Sequence, residues 1–319
     1  MESQPVVGKK TNNTPKMKKK KQIWNFKRTW QLHVLLIPAL VLGLIFQYAP
    51  MFGVVMAFQD FKPWLGFFDS QWVGLEHFRM MFEYDYARQV IWNTLIISLL
   101  KMIFGLIVPI TVALLLNEMY KMAIKRTIQT IIYLPYFLSW VILGGILLDL
   151  LSPDGGLVNQ GLLWFGVDPI FFLGSNDWFR TTVIISDLWK ETGFNTIVFL
   201  AAITAVNPSL YEAAVVDGAN RWKQTLFITL PAMLPIIIVV GTLSLGNVLN
   251  AGFDQIFNLY NPLVYQTGDI IDTYVYRVSL VSGDFSYGTA VGLFKSVISL
   301  VLIIVGYRLA YKYANWRIF

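Results

Sequence analysis

Residues 207–231 read NPSLYEAAVVDGANRWKQTLFITLP, a polar, helix-prone interruption between two strongly apolar runs. Such a segment is expected outside a membrane when its flanks lie inside one. Ser209 followed three residues later by Glu212 has the form of a capping box: the hydroxyl takes one orphan helix N–H and the carboxylate reaches back to another. A short helix is therefore expected to start near Leu210. Gly218 takes the left-handed backbone that stops it, Asn220 caps a second helix, and Pro231 opens the next span at a first-turn position where its missing N–H costs little. The expected product is a helix–turn–helix knuckle. Its surface is kept low by Ala213, Ala214 and Ala219, so a second protein can pack closely against it. Chemistry alone leaves the knuckle open between a docking element and a capped loop without a partner.

Composition sets the frame around this stretch. Hydrophobic residues make up 56% of the 319-residue chain and charged residues 14%, against roughly half and a quarter in soluble domains. This predicts an all-α integral membrane protein with one membrane domain and no room for a large separate soluble one. There is no cysteine, which excludes disulfides and thiolate metal sites, and two histidines, His33 and His77, make a histidine metal centre a poor expectation. The first 28 residues carry nine Lys or Arg and few apolar residues. They are read as a basic tail, residues 1–28, ahead of a membrane domain over 29–319. Because the tail leads straight into an apolar span, it is expected to face anionic lipid rather than nucleic acid.

Six spans are expected, near residues 32–52, 90–116, 128–148, 182–206, 232–249 and 289–307. Residues 48–78 are rich in aromatics and turn formers, which suits a segment lying at the outer membrane surface. Lys and Arg sort 17 to 5 between the two sides this layout defines, and 8 to 5 without the tail. The excess places both termini and the knuckle in the cytoplasm.

Polar residues recur inside two spans. Asp187, Lys190, Glu191 and Asn195 fall at helical spacing in the fourth, and Asn247, Asn250 and Asp254 do so in the fifth, so each set is expected to line one face. Charges within spans face a protein interior or water, and these donors and acceptors suit the hydroxyls of a sugar. Trp189, Phe194 and Phe253 are candidate plates for its apolar ring face. The alternative is that the charged groups are internal ion pairs or mark the span ends. No G-x-x-x-x-G-K-[ST] loop, H-E-x-x-H or G-x-S-x-G occurs, so neither ATP hydrolysis nor any other catalysis is expected of this chain. A secondary transporter is a rival reading, weakened by six spans without an internal repeat. A membrane anchor that only docks a partner is a third.

Glu212-Ala213-Ala214, Asp217-Gly218-Ala219, then Phe227, Ile228, Leu230-Pro231 and Pro235 resemble the EAA motif of permease subunits of binding-protein-dependent ABC importers, with about ten positions agreeing at fixed spacing over 24 residues. The resemblance implies that the knuckle is a coupling helix that docks into a cleft on a cytoplasmic ABC ATPase, present in two copies, through Glu212, Ala213, Ala214, Asp217, Gly218 and Ala219. ATP and Mg would then be bound by that ATPase, with no cofactor on this chain. It further implies a second, related permease subunit in a heterodimer, with a homodimer as the alternative, an extracellular lipid-anchored sugar-binding protein, and a place in the bacterial cytoplasmic membrane. More loosely, residues 48–78 are similar to the segment after the first span in Gram-positive permeases associated with complex oligosaccharides. An oligosaccharide is therefore the expected cargo.

Overall fold

The computed structural model describes residues 26–314. The basic tail lies outside them apart from its last three residues, which already belong to the first helix. The chain divides after Phe52 into two units. In the first, helix α1 (Phe26–Gly43) passes into a π turn at Leu44–Tyr48 and then a 3₁₀ stretch, Ala49–Phe58, that runs on past the division.

The second unit begins within that 3₁₀ stretch. A two-residue ladder joins β1 (Gln59–Asp60) to β2 (Gln71–Trp72), antiparallel, and is followed by α2 (Glu76–Glu83). The surface segment expected over 48–78 therefore begins later: residues 49–58 belong to the first long helical stretch, and from Gln59 the chain forms a small folded hairpin and helix, held to the start of the last span where Phe61 N–H donates to Ser286 Oγ at 2.8 Å. Next come α3 (Asp85–Asn117), α4 (Met122–Tyr133), α5 (Trp140–Leu150), α6 (Leu157–Trp164) and α7 (Asn176–Thr204). The knuckle helix α8 (Pro208–Val216) leads to α9 (Arg221–Gly246). Beyond the end of α9 lie α10 (Phe253–Leu259), α11 (Ile271–Tyr276) and α12 (Phe285–Ala314).

Four helical stretches, His33–Phe58, α3, α9 and Phe285–Arg308 of α12, are long and apolar enough to cross a membrane. Two bent pairs bring the number up to six if each is one span: Met122–Phe137 with α5, bent by 106°, and α7 with α8, bent by 67°. The third span is therefore not the straight helix expected over 128–148. Pro135 sits in the one-turn 3₁₀ piece at Leu134–Phe137, and Ser139 caps α5 afresh, its Oγ accepting from Ile142 N–H. A proline that cannot continue the ladder, followed by a capping serine, breaks the element in two.

Proline also explains two π turns. Those at Leu44–Tyr48 and Thr225–Thr229 each end two residues before a proline, Pro50 and Pro231. A proline ring collides with the carbonyl four residues earlier, here Phe46 and Phe227, and widening that turn moves the carbonyl aside. Pro231 is consequently not the start of a span as expected; α9 runs through it from Arg221.

Three apolar clusters hold the second unit together. At the knuckle end Ala113, Leu116, Phe199, Leu200, Ile203 and Met233 join α3, α7 and α9. At the opposite end one cluster gathers Ile97, Phe179, Val183, Ile256 and Ile270, and another joins Met81, Val90, Ile271, Tyr287 and Val291. A buried polar brace stiffens that end: Asp269, with no exposed surface, accepts from Arg277 at 2.6 Å, Tyr86 OH at 2.6 Å and Thr273 Oγ1 at 2.7 Å. An arginine marks each end. Arg221 reaches Glu118 at 4.0 Å and lies over the Tyr120 ring at the knuckle end, whereas Arg180 donates to Asn93 Oδ1 at the other.

Candidate functional site

The knuckle is built as the sequence suggests, with one substitution of roles. Asn207, not Ser209, caps α8: its Oδ1 accepts from Ser209 N–H at 3.1 Å. Pro208 then occupies a first-turn position with no donor to satisfy. The capping box of Ser209 and Glu212 is not formed, and the Glu212 carboxylate stays exposed on the surface. At the other end Gly218 has φ +74°. Its N–H donates to Val215 O at 3.0 Å while Ala219 N–H reaches Ala214 O at 2.8 Å, the paired bonds of a Schellman turn. Asn220 caps α9 by accepting from Lys223 N–H. Tyr211 OH meets Thr229 Oγ1 at 2.9 Å and fixes α8 against α9. The surface so presented includes Val216 and Trp222, 87% and 73% exposed, around the low ground of Ala213, Ala214 and Ala219. An apolar patch this open in a polar setting fits an interaction surface.

Between the apolar clusters, α3, α7 and the end of α9 line an open cavity of about 340 Å³. Asp187, Glu191 and Asn195 stand one turn apart on α7 and all line it, together with Ser98 and Lys101 of α3, Thr192, Ser244, and Asn247 and Asn250 just past α9. Lys101 is its electrostatic hub. The ammonium pairs with Asp187 at 3.0 Å, donates to Ala251 O at 2.8 Å and donates to Gln255 Oε1. Gln255 in turn donates to Val183 O and Ser186 Oγ, so one lysine joins α3, α7 and α10.

Not every expected path residue is here. Lys190 turns away from the cavity to the break in the third span, donating to Tyr136 O at 2.7 Å and Leu138 O at 2.8 Å, above the rings of Tyr136 and Trp140. Carbonyls freed at a helix break need a donor at membrane depth, and a buried ammonium supplies one. Trp189 lines a separate, apolar cavity with Leu147, Phe172 and Trp178. Asp254 is exposed in the first turn of α10. The shared face expected for Asn247, Asn250 and Asp254 does not exist, because α9 ends at Gly246 and a new helix starts at Phe253. Phe194 stacks on Tyr136 at 4.3 Å and Phe253 on Phe257 at 5.2 Å, so neither offers a plate to the cavity. Asp187 is in an internal ion pair, but with Lys101, which spacing within α7 does not reveal. A lone lysine in the middle of an apolar span was the available signal for Lys101.

Among the described residues no group of three or more His, Asp or Glu is placed to hold a metal ion. The cavity offers hydrogen bonds and charge rather than a nucleophile with a base beside it.

A family model described as "Binding-protein-dependent transport system inner membrane component" matches residues 103–315. The chain is 42% identical to the polygalacturonan/rhamnogalacturonan transport system permease protein YteP of Bacillus subtilis, over 95% of each chain. It is 43% identical to protein LplB of the same organism, over 92% of each. Among solved structures it is similar to a chain of a bacterial ABC transporter involved in the import of the acidic polysaccharide alginate, with 42% identity, a TM-score of 0.84, and 90% and 97% of the two chains covered. A second structure of the alginate transporter, in complex with an alginate pentasaccharide-bound periplasmic protein, matches with 41% identity, 92% and 98% coverage and the same TM-score.

Proposed function

The chain belongs to the family of binding-protein-dependent transport system inner membrane components, and is a permease rather than an enzyme; on that premise we propose that its mid-span cavity forms part of the path of an imported oligosaccharide. The observation that carries the cargo is the full-length likeness to permeases named for polygalacturonan, rhamnogalacturonan and alginate. A cavity lined by amides, hydroxyls and a carboxylate is consistent with a hydroxylated solute. Membership in this family favours neither a secondary transporter nor a passive anchor.

The exposed knuckle is assigned to coupling. Glu212, Ala213, Ala214, Asp217, Gly218 and Ala219 meet a cytoplasmic ATPase, two copies of which bind ATP and Mg, and both termini of this chain lie on that side. A second, related permease completes the path, since the cavity is open rather than closed on all sides. The external binding protein is lipid-anchored and delivers the sugar at the opposite end.

Reconstituted vesicles test this reading. The assembled complex is supplied with labelled oligogalacturonate or alginate oligosaccharide, the binding protein, and ATP with Mg inside or outside. ATP-driven uptake that requires the binding protein is the expected result. Uptake that continues after the ATPase is removed would overturn it.

A further inference from the structure

Three features of the cavity decide what charge a solute meets there. Lys101 has three N–H donors, and Asp187, Ala251 O and Gln255 Oε1 take all three. Its ammonium is therefore neutralised and has no donor left for a ligand. Glu191, also on the cavity wall and half-buried, makes neither a hydrogen bond nor a salt bridge among the described residues. Asp187, a like charge one turn away that is paired with Lys101, acts on it only through space, as do Lys190 and Lys101, and Lys190 is held by the carbonyls of Tyr136 and Leu138. The remaining groups are neutral: the amides of Asn195, Asn247 and Asn250 make no side-chain hydrogen bond among the described residues, and buried Thr192 Oγ1 has no partner. The wall thus presents open amides and one open carboxylate.

From this arrangement, and resting on the oligosaccharide reading above, we infer that Glu191 is a specificity-determining residue: it accepts sugar hydroxyls and disfavours sugar carboxylates, so that this half of the path selects neutral or esterified stretches of sugar. A carboxylate accepts two O–H donors from neighbouring hydroxyls with charge-assisted strength. The same carboxylate repels a uronate across a cavity that excludes part of the bulk water. Passage of an acidic oligosaccharide then needs cations from beyond this cavity wall, because Lys101 has none of its donors free.

Oligogalacturonate and its methyl ester differ in charge and little else, so they form the probe pair. Initial ATP-driven uptake of each is measured per assembled complex in vesicles holding the whole transporter, with one binding-protein preparation throughout so that its own preference cancels. Glu191→Gln is expected to raise the ratio of acid to ester uptake about threefold to tenfold, the effect of removing one like charge at partial screening. Glu191→Ala should move the ratio the same way, and Glu191→Asp should leave it within about twofold, since the charge is kept. An unchanged or lowered ratio in both neutral variants, with uptake of both sugars intact, overturns this inference alone. A wild-type complex that takes up neither sugar overturns the oligosaccharide reading and this inference with it.

Discussion

Lys101 carries more of the site than any other side chain. Its side chain is only 9% exposed, and removing its charge leaves Asp187, whose side chain is 21% exposed, without its counter-ion at membrane depth. Breaking a buried pair costs more than deleting both partners. Lys101→Met is therefore expected to destabilise the assembled permease by about 2–4 kcal/mol, discounted for water in the cavity. Lys101→Met with Asp187→Asn should lose less than the sum of the two single changes. Thermal unfolding of the purified complex in detergent measures this, and additive losses would remove the pairing from the account. At this scale the sequence is legible where periodicity suffices. Asp187, Glu191 and Asn195 lie four residues apart on one helix and do face one cavity. Lys190 fits nearly the same face by spacing, yet a break in a different helix claims it. Partners such as Lys101 and Asp187, 86 residues apart by their numbering, leave no local trace in a single sequence.

Elements are legible where a single local residue makes the cap, as at Gly218 and Asn220 though not in the Ser209–Glu212 pair, and least legible where a break depends on what packs beside it. The bent third span shows the difference. Its broken helix is held by Lys190 from α7 and by a close approach at Gly193, where an added Cβ would lie 2.2 Å from Ile132 O. Because the obstacle is backbone, Gly193→Ala is expected to push α4 from α7 and cost about 1–3 kcal/mol, with less assembled complex in size-exclusion chromatography. Normal assembly and melting would show that α4 yields freely. In the knuckle, a Cβ at Gly218 meets nothing within 4 Å, so only its φ of +74° resists substitution. Gly218→Val should strain the turn by about 1–2 kcal/mol or more while leaving membrane insertion normal. ATPase co-purification and uptake should both fall. A Gly218→Val complex with wild-type uptake would detach the knuckle from coupling.

Across the whole molecule, the apolar clusters at the two ends are joined by helices whose polar residues meet between them, which is the layout a path needs. Hydropathy makes up to six spans and their order legible. The end of α9 is legible to within three residues, near 249 expected against Gly246 found, but the new start at Phe253 is not, since it rests on the left-handed Gly252 and the Lys101 bond to Ala251 O. That interruption puts Asn250 on the cavity wall and leaves Asp254 outside it. The chain has no cysteine of its own, so a single introduced thiol can be addressed. Asn250→Cys and Asp254→Cys are each assembled with their partners, reacted with a small maleimide, and assayed for ATP-driven oligosaccharide uptake against the cysteine-free chain treated alike. If the cavity is the path, alkylation abolishes uptake at position 250 and spares it at position 254; full uptake by the alkylated Asn250→Cys complex would contradict it.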